Sequence, residues 1–355
     1  MNPSNNFLYT YLNNASPTGF EASGQQIWLD YIKPFVESYF TDNYGTAVGV
    51  INPEHPFKVV IEAHADEISW FVNYITAEGY IYVRRNGGSD HMIAPSMRVN
   101  IHTDKGIVPG VFGWPAIHVR KEGKEDAPTL DNIFIDVGAR TKEEVLEMGI
   151  HVGCVITFKD ELQELNGKFL SGRALDNRIG GFMIAEVLRK IKESNIKLPF
   201  GLYVVNAVQE EIGLRGAEMI TASIKPNVAI ITDVCHDTTA PMYNKISSGD
   251  QSAGKGPVLT YGAAVHKKLL DLIIATATEN DIPFQRAAAS RTTGTDTDAF
   301  AYSNGGVPSA LISLPLKYMH TTVETASKED IDHVIELIYK FLVEFDPGFD
   351  FRYIV

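Results

Sequence analysis

The chain has 355 residues, 45% of them hydrophobic and 21% charged, with a formal net charge of -13. That length and balance suit one large core with a smaller unit attached and exclude a disordered chain. The acidity opposes non-specific binding to nucleic acid or to an anionic membrane, both of which need basic patches, and makes divalent cations the more natural partners.

The start, MNPSNNFLYTYLNN, lacks a basic segment followed by an apolar one, and no apolar run reaches the ~18 residues of a spanning helix, so a cytoplasmic protein without an anchor is expected. Cys154 and Cys235 are too few for a disulfide framework and read as buried small hydrophobes. Residues 1–67 alternate helix-like and strand-like patterns: an amphipathic start, a second helical stretch in EASGQQIWLDYIKPFVESYF, then the strands TAVGVI and KVVIEAHAD. From about residue 68 to 163 the texture changes to short strands, WFVNYI, YIYVRR, RVNIHT, NIFIDVG and CVITFKD, with closely spaced glycines, as in a small barrel or sandwich. Within this block RNGGSD reads as a turn and KEGKEDAP as a solvated charged loop. Residues 164–355 return to alternation, with strands FGLYVVNAV, NVAIITDV, PFQRAAA and PSALISL between helices near 176–193, 213–222, 263–280 and 327–344. The fold class is therefore α/β: a three-layer α/β/α unit with a mixed sheet, built from residues 1–67 and 164–355, interrupted by an all-β, barrel-like insertion over 68–163.

The polar residues at the ends of the apolar strands carry the chemistry. His64 and Asp66 are two apart, so an extended backbone points them to one side, where an acid can orient an imidazole whose other nitrogen ligates a metal. A buried histidine satisfied by a local aspartate is the simpler account of that pair alone. Three further strands end in Glu210 and Glu211, in Asp233 and, past a short extension, in His320, and carboxyl ends of strands are where open α/β sheets place their sites. Asp176, in SGRALDNRIGG, fits equally a helix cap and a ligand. Together His64, Asp176, Glu211, Asp233 and His320 offer two nitrogens and three carboxylates. With Asp176 bridging, two divalent ions would each have three protein ligands and an open position, as catalytic zinc requires. Adjacent side chains diverge on an extended backbone, so Glu211 is read as ligand and Glu210 as general base, and hydrolysis is the expected reaction.

AHADEI, SGRALDNRIGG, VQEEIGLRGA, ITDV and MHTTVE, in this order and spacing, resemble the peptidase family 42 metallo-aminopeptidases, the glutamyl and tetrahedral aminopeptidases, and SPTGFE, GIVPGVFGWPAIH, GARTKEEVLEMGIHVGC and GTDTDAF extend the likeness over nearly the whole chain. The resemblance implies an aminopeptidase acting on short peptides. It implies one ion (Zn2+, with Co2+ or Mn2+ as alternatives) on His64, Asp176 and Asp233 and another on Asp176, Glu211 and His320, with Glu210 as base and Asp66 orienting His64. It further implies a cis bond between Asp176 and Asn177, and an insertion that assembles dimers into a homo-dodecamer. Ala65, Ser69 and Lys317 depart from the usual family wording and bear on substrate preference, which the sequence leaves open. Asp296 and Asp298 read as turn and cap residues, the resemblance making Asp296 a candidate on the substrate side. His91, His102, His118, His151 and His236 read as surface or satisfied core residues. Two competing functions are a glycoside hydrolase and a non-catalytic assembly protein with a vestigial site. The first is a poor fit, because glycosidase carboxyls stand ~5–9.5 Å apart across a bond and need no metal.

Overall fold

The computed structural model describes residues 2–120 and 126–354. The first five residues of the charged stretch KEGKEDAP therefore lie outside the described residues. An 11-stranded mixed sheet organises the larger unit. At its centre four parallel strands lie side by side in the order Gly201–Ala207, Lys58–His64, Val228–His236 and Ser309–Lys317. Their sequences are nearly continuous apolar runs, as interior parallel strands covered on both faces must be. Val59, Ile61, Val204, Ile230 and Ile312 are all fully buried in one core. Register then aligns the chemistry: Ala207 lies opposite His64, and Ile231 opposite Glu62, which carries Asp233 two residues on to the level of His64.

Antiparallel strands extend the sheet on both sides, Ala47–Ile51 and Ser38–Thr41 at one edge, Glu324–Ser327, Phe169–Gly172 and Gln163–Leu165 at the other. Helices flank the sheet in a three-layer arrangement. The longest, Leu175–Ser194, is buried without interruption from Leu175 to Leu188 and packs on strand Lys58–His64. Gly180 permits that approach, since a Cβ there would lie 2.8 Å from the Ala63 Cβ. From the same helix the buried Arg178 guanidinium donates to the carbonyls of Tyr11 and Asn14, satisfying groups that the end of helix Pro3–Asn13 leaves open.

Six antiparallel strands, Ser69–Ile75, Ile81–Asn86, Phe134–Asp136, Gly106–Gly113, Arg98–Thr103 and Val155–Phe158, close into a barrel in that order. Its own core contains Trp70, Val83, Ile101, Phe112, Ile135 and Ile156.

Two local readings are corrected, and one strand is added to them. The stretch EASGQQIWLDYIKPFVESYF is not one helix: Ala22–Ile32 is helical, Lys33–Phe35 forms a 3-10 turn, and Ser38–Thr41 is a strand, with Pro34 at the point where the helical hydrogen bonding ends. Gly106–Gly113 is a barrel strand that the sequence pattern does not announce. Its Pro109 is tolerated because that end pairs only with Arg98–Thr103. Asp176 is not a helix cap: its φ/ψ of -74° and 114° at a kink would suit one, but its carboxylate oxygens face His64 and His320 rather than the N–H groups of that helix.

Candidate metal centre

The interior strand Lys58–His64 emerges at the carboxyl edge of the sheet with Glu62, His64 and, just beyond it, Asp66 on one face. After Ala207 the neighbouring strand turns sharply. Gln209 (φ 59°) enters the left-handed region, Glu210–Ile212 make one 3-10 turn, and Gly213 (φ 113°) and Leu214 (φ 63°) return the chain to helix Arg215–Ile224. A non-glycine residue in that region is strained and needs surrounding contacts to hold it. Here the buried Glu21 accepts from the Gln209 amide at 3.3 Å. The fully buried Asp66 accepts from the amides of Glu210 at 3.0 Å and Glu211 at 3.2 Å and from the Thr18 hydroxyl at 2.8 Å. Its Oδ1 also lies 3.3 Å from Nδ1 of His64, a contact not aligned as a hydrogen bond.

Asp176 stands between the two histidines. Its Oδ1 is 3.2 Å from His64 Nε2 and its Oδ2 3.3 Å from His320 Nε2. Glu211 lies 3.4 Å from His320 Nε2, while Asp233 and Glu210 each lie 3.9 Å from His64 Nε2. Among the described residues three sets of ligand atoms converge within 4.8 Å: His64 with Asp176 and Asp233, Asp176 with Glu211 and His320, and His64 with Glu210 and Glu211. His320 has φ 61° and is a third exposed, whereas His64 is 2% exposed. The Asp176–Asn177 peptide bond is cis.

The protein alone does not balance these charges. Burial raises Asp233 to about 7 and, with Asp233, Asp296 and Glu211 adding to it against His64, raises Glu210 to about 10. Burial opposes protonation of His320, yet bonds to Asp176 and Glu211 raise it to about 11. The same two histidines hold Asp176 below the usual carboxylate range although burial acts the other way. Four buried or largely buried carboxylates around two imidazoles are costly without cations and fit divalent metal well.

The seven residues singled out in the sequence thus come together at one place. Asp296 does not cap with its side chain: it precedes helix Thr297–Ala301 and bonds it only through its backbone carbonyl, and its carboxyl is buried against Glu62. Burial lifts both acids, Glu62 to about 8, and Asp298 instead accepts from the amides of Thr293 and Gly294. Glu62, two residues before His64, was legible from strand periodicity and was missed. Gly87 and Gly88 form a turn that also touches the site, with Gly88 packed on the His320 ring. His91, His102, His118, His151 and His236 stay outside the converging sets, as do Cys154, which is buried, and Cys235, which is only partly so. Lys317 Nζ lies 3.7 Å from Asp237.

Residues 45–337 match the family model described as M42 glutamyl aminopeptidase. The chain is 33% identical over 333 residues to lysyl aminopeptidase of Pyrococcus furiosus, covering 93% of this chain and 94% of that one. It superposes with TM-score 0.92 on a TET aminopeptidase from Thaumarchaeota archaeon SCGC AB-539-E09, at 28% identity and 98% coverage of both chains. A TM-score of 0.86 relates it to the TET1 peptidase of Pyrococcus horikoshii, which can assemble into a tetrahedron or a large octahedral shell, with 27% identity over 96% of this chain and 100% of that one.

Proposed function

The chain belongs to the M42 glutamyl aminopeptidase family and is a peptide hydrolase, and we propose that it removes N-terminal residues from short peptides with two divalent ions per chain, zinc first, cobalt or manganese in its place. The observation that carries this reading is the position of Asp176, whose two carboxylate oxygens face His64 Nε2 and His320 Nε2 separately. His64, Asp176 and Asp233 would hold one ion, and Asp176, Glu211 and His320 the other. When bound, the pair supplies Lewis acidity toward water and the scissile carbonyl.

The chain's own residues do the rest. Glu210 accepts the proton of the attacking water and returns it to the departing amine. Alone it is held protonated by burial, and neighbouring cations favour the carboxylate a base requires. Asp66 fixes this geometry from behind by holding the amides of both glutamates and facing the His64 ring. Residues 1–67 and 164–355 form the catalytic unit. The inserted β unit, 68–163, serves assembly of dimers into a dodecamer, a reading supported by the shells its structural relative forms. No helix among the described residues is long and apolar enough to cross a membrane, in keeping with a cytoplasmic site of action.

A panel of aminoacyl anilides and short peptides, assayed before and after thorough chelation and again after adding zinc, cobalt or manganese, tests the proposal. Activity should vanish on chelation and return with metal. Hydrolysis that survives metal removal would rule out metal-dependent catalysis, and inertness toward the whole panel would favour a vestigial site.

A further inference from the structure

Glu324 has no task in the scheme above, yet it occupies a particular position. It opens strand Glu324–Ser327, which pairs on one side with Phe169–Gly172 and on the other with Ser309–Lys317, the two segments that lead into Asp176 and into His320. The side chain is 2% exposed. One oxygen accepts the backbone N–H of His320 at 2.7 Å and the other accepts the backbone N–H of Asp176 at 3.0 Å. The side chains of those same two residues meet at 3.3 Å.

Neither N–H belongs to a regular ladder: His320 has φ 61°, and Asp176 departs from helical geometry at the start of its helix. Without Glu324 each would be a buried or half-buried donor lacking its partner. His320 also differs from His64 in how its ring is fixed. Asp66 stands against Nδ1 of His64, whereas among the described residues the ion pairs of His320 run through Nε2, and its Nδ1 side packs on Gly88. The backbone of His320 therefore bears directly on where its ring sits.

We infer that Glu324 is a positioning residue: its carboxylate ties the Asp176 and His320 backbones together and so sets the spacing at which their side chains take the second ion. This rests on the proposal that Asp176 and His320 are ligands. A carboxylate offers two acceptors at fixed separation on a stem braced by two strands. A carboxamide offers one acceptor and turns a donor toward the other N–H, so one of the two bonds must break.

The test is zinc binding by the full-length chain, stripped of metal and dialysed against buffered free zinc, with zinc per chain measured by elemental analysis. Wild type should bind two ions. Glu324→Gln should keep the fold by circular dichroism and hold one ion as before, with the second weakened about 10–100-fold, the usual consequence of losing an outer partner of a ligand. Glu324→Asp, which keeps both acceptors on a shorter stem, should recover part of that loss. A Glu324→Gln variant that binds both ions at wild-type affinity overturns the inference while leaving the binuclear reading intact. A wild type that never takes a second ion removes both. If neither variant folds, Glu324 is an element of the fold rather than of the metal centre, and the inference fails.

Discussion

At the scale of single residues, Glu210 and Glu211 share one sharp turn but face different partners. Glu211 lies against His320 and Glu210 against His64, so substituting each by its amide should give different defects. Glu210→Gln keeps the shape and loses the base: both ions should remain by elemental analysis while kcat falls about 10²–10⁴-fold. Glu211→Gln should lose one ion, with partial recovery in excess zinc. The opposite pattern, metal lost from the Glu210 variant and kept by the Glu211 variant, would mean the roles are reversed. The convergence of these side chains was legible in the sequence, because the spacing of His64 and Asp66 and the doubled glutamates carry their geometry with them. Glu324 and Glu21 were not, since both work on backbone N–H groups, which leave no mark on residue type. Asp296 misled for a related reason. A carboxylate before a short helix looks like a cap, and only burial against Glu62 distinguishes it.

At the scale of elements, the site is built from the ends of the parallel strands, the start of helix Leu175–Ser194 and one loop from the barrel. The four interior strands were readable because burial on both faces enforces apolar runs. The edge strand Gln163–Leu165 is exposed throughout and has no such pattern, and Gly106–Gly113 is interrupted by proline. The barrel loop reaches the site through Gly88, where a Cβ would sit 2.6 Å from Nδ1 and 2.7 Å from Cε1 of His320. Gly88→Ala should displace that ring and weaken the second ion about tenfold or more, read as a shift in the zinc-binding isotherm. Unchanged binding would mean the loop yields instead. The buried acids and histidines also predict a proton balance. In the metal-free protein Glu210 is raised to about 10, Asp233 to about 7 and His320 to about 11, so at pH 8 Glu210 and His320 hold protons that ligating cations must displace. Zinc titrations in buffers of different ionisation enthalpy should report about one or more protons released per chain. A heat independent of buffer would contradict this.

At the scale of the whole molecule, the change of texture near residue 68 pointed to an all-β unit, while the closure of six strands into a barrel had to come from the structure. Assembly through this unit predicts a particle of twelve chains of 39.2 kDa, about 470 kDa, in light scattering. A monomer at all concentrations would remove the assembly role. The central claim, that two ions share Asp176, is tested most directly by anomalous diffraction at the zinc edge from zinc-loaded crystals. Two peaks are predicted, one on each side of the Asp176 carboxylate, the first beside His64 and Asp233, the second beside Glu211 and His320. A single peak among His64, Glu210 and Glu211, the third converging set, would contradict the account.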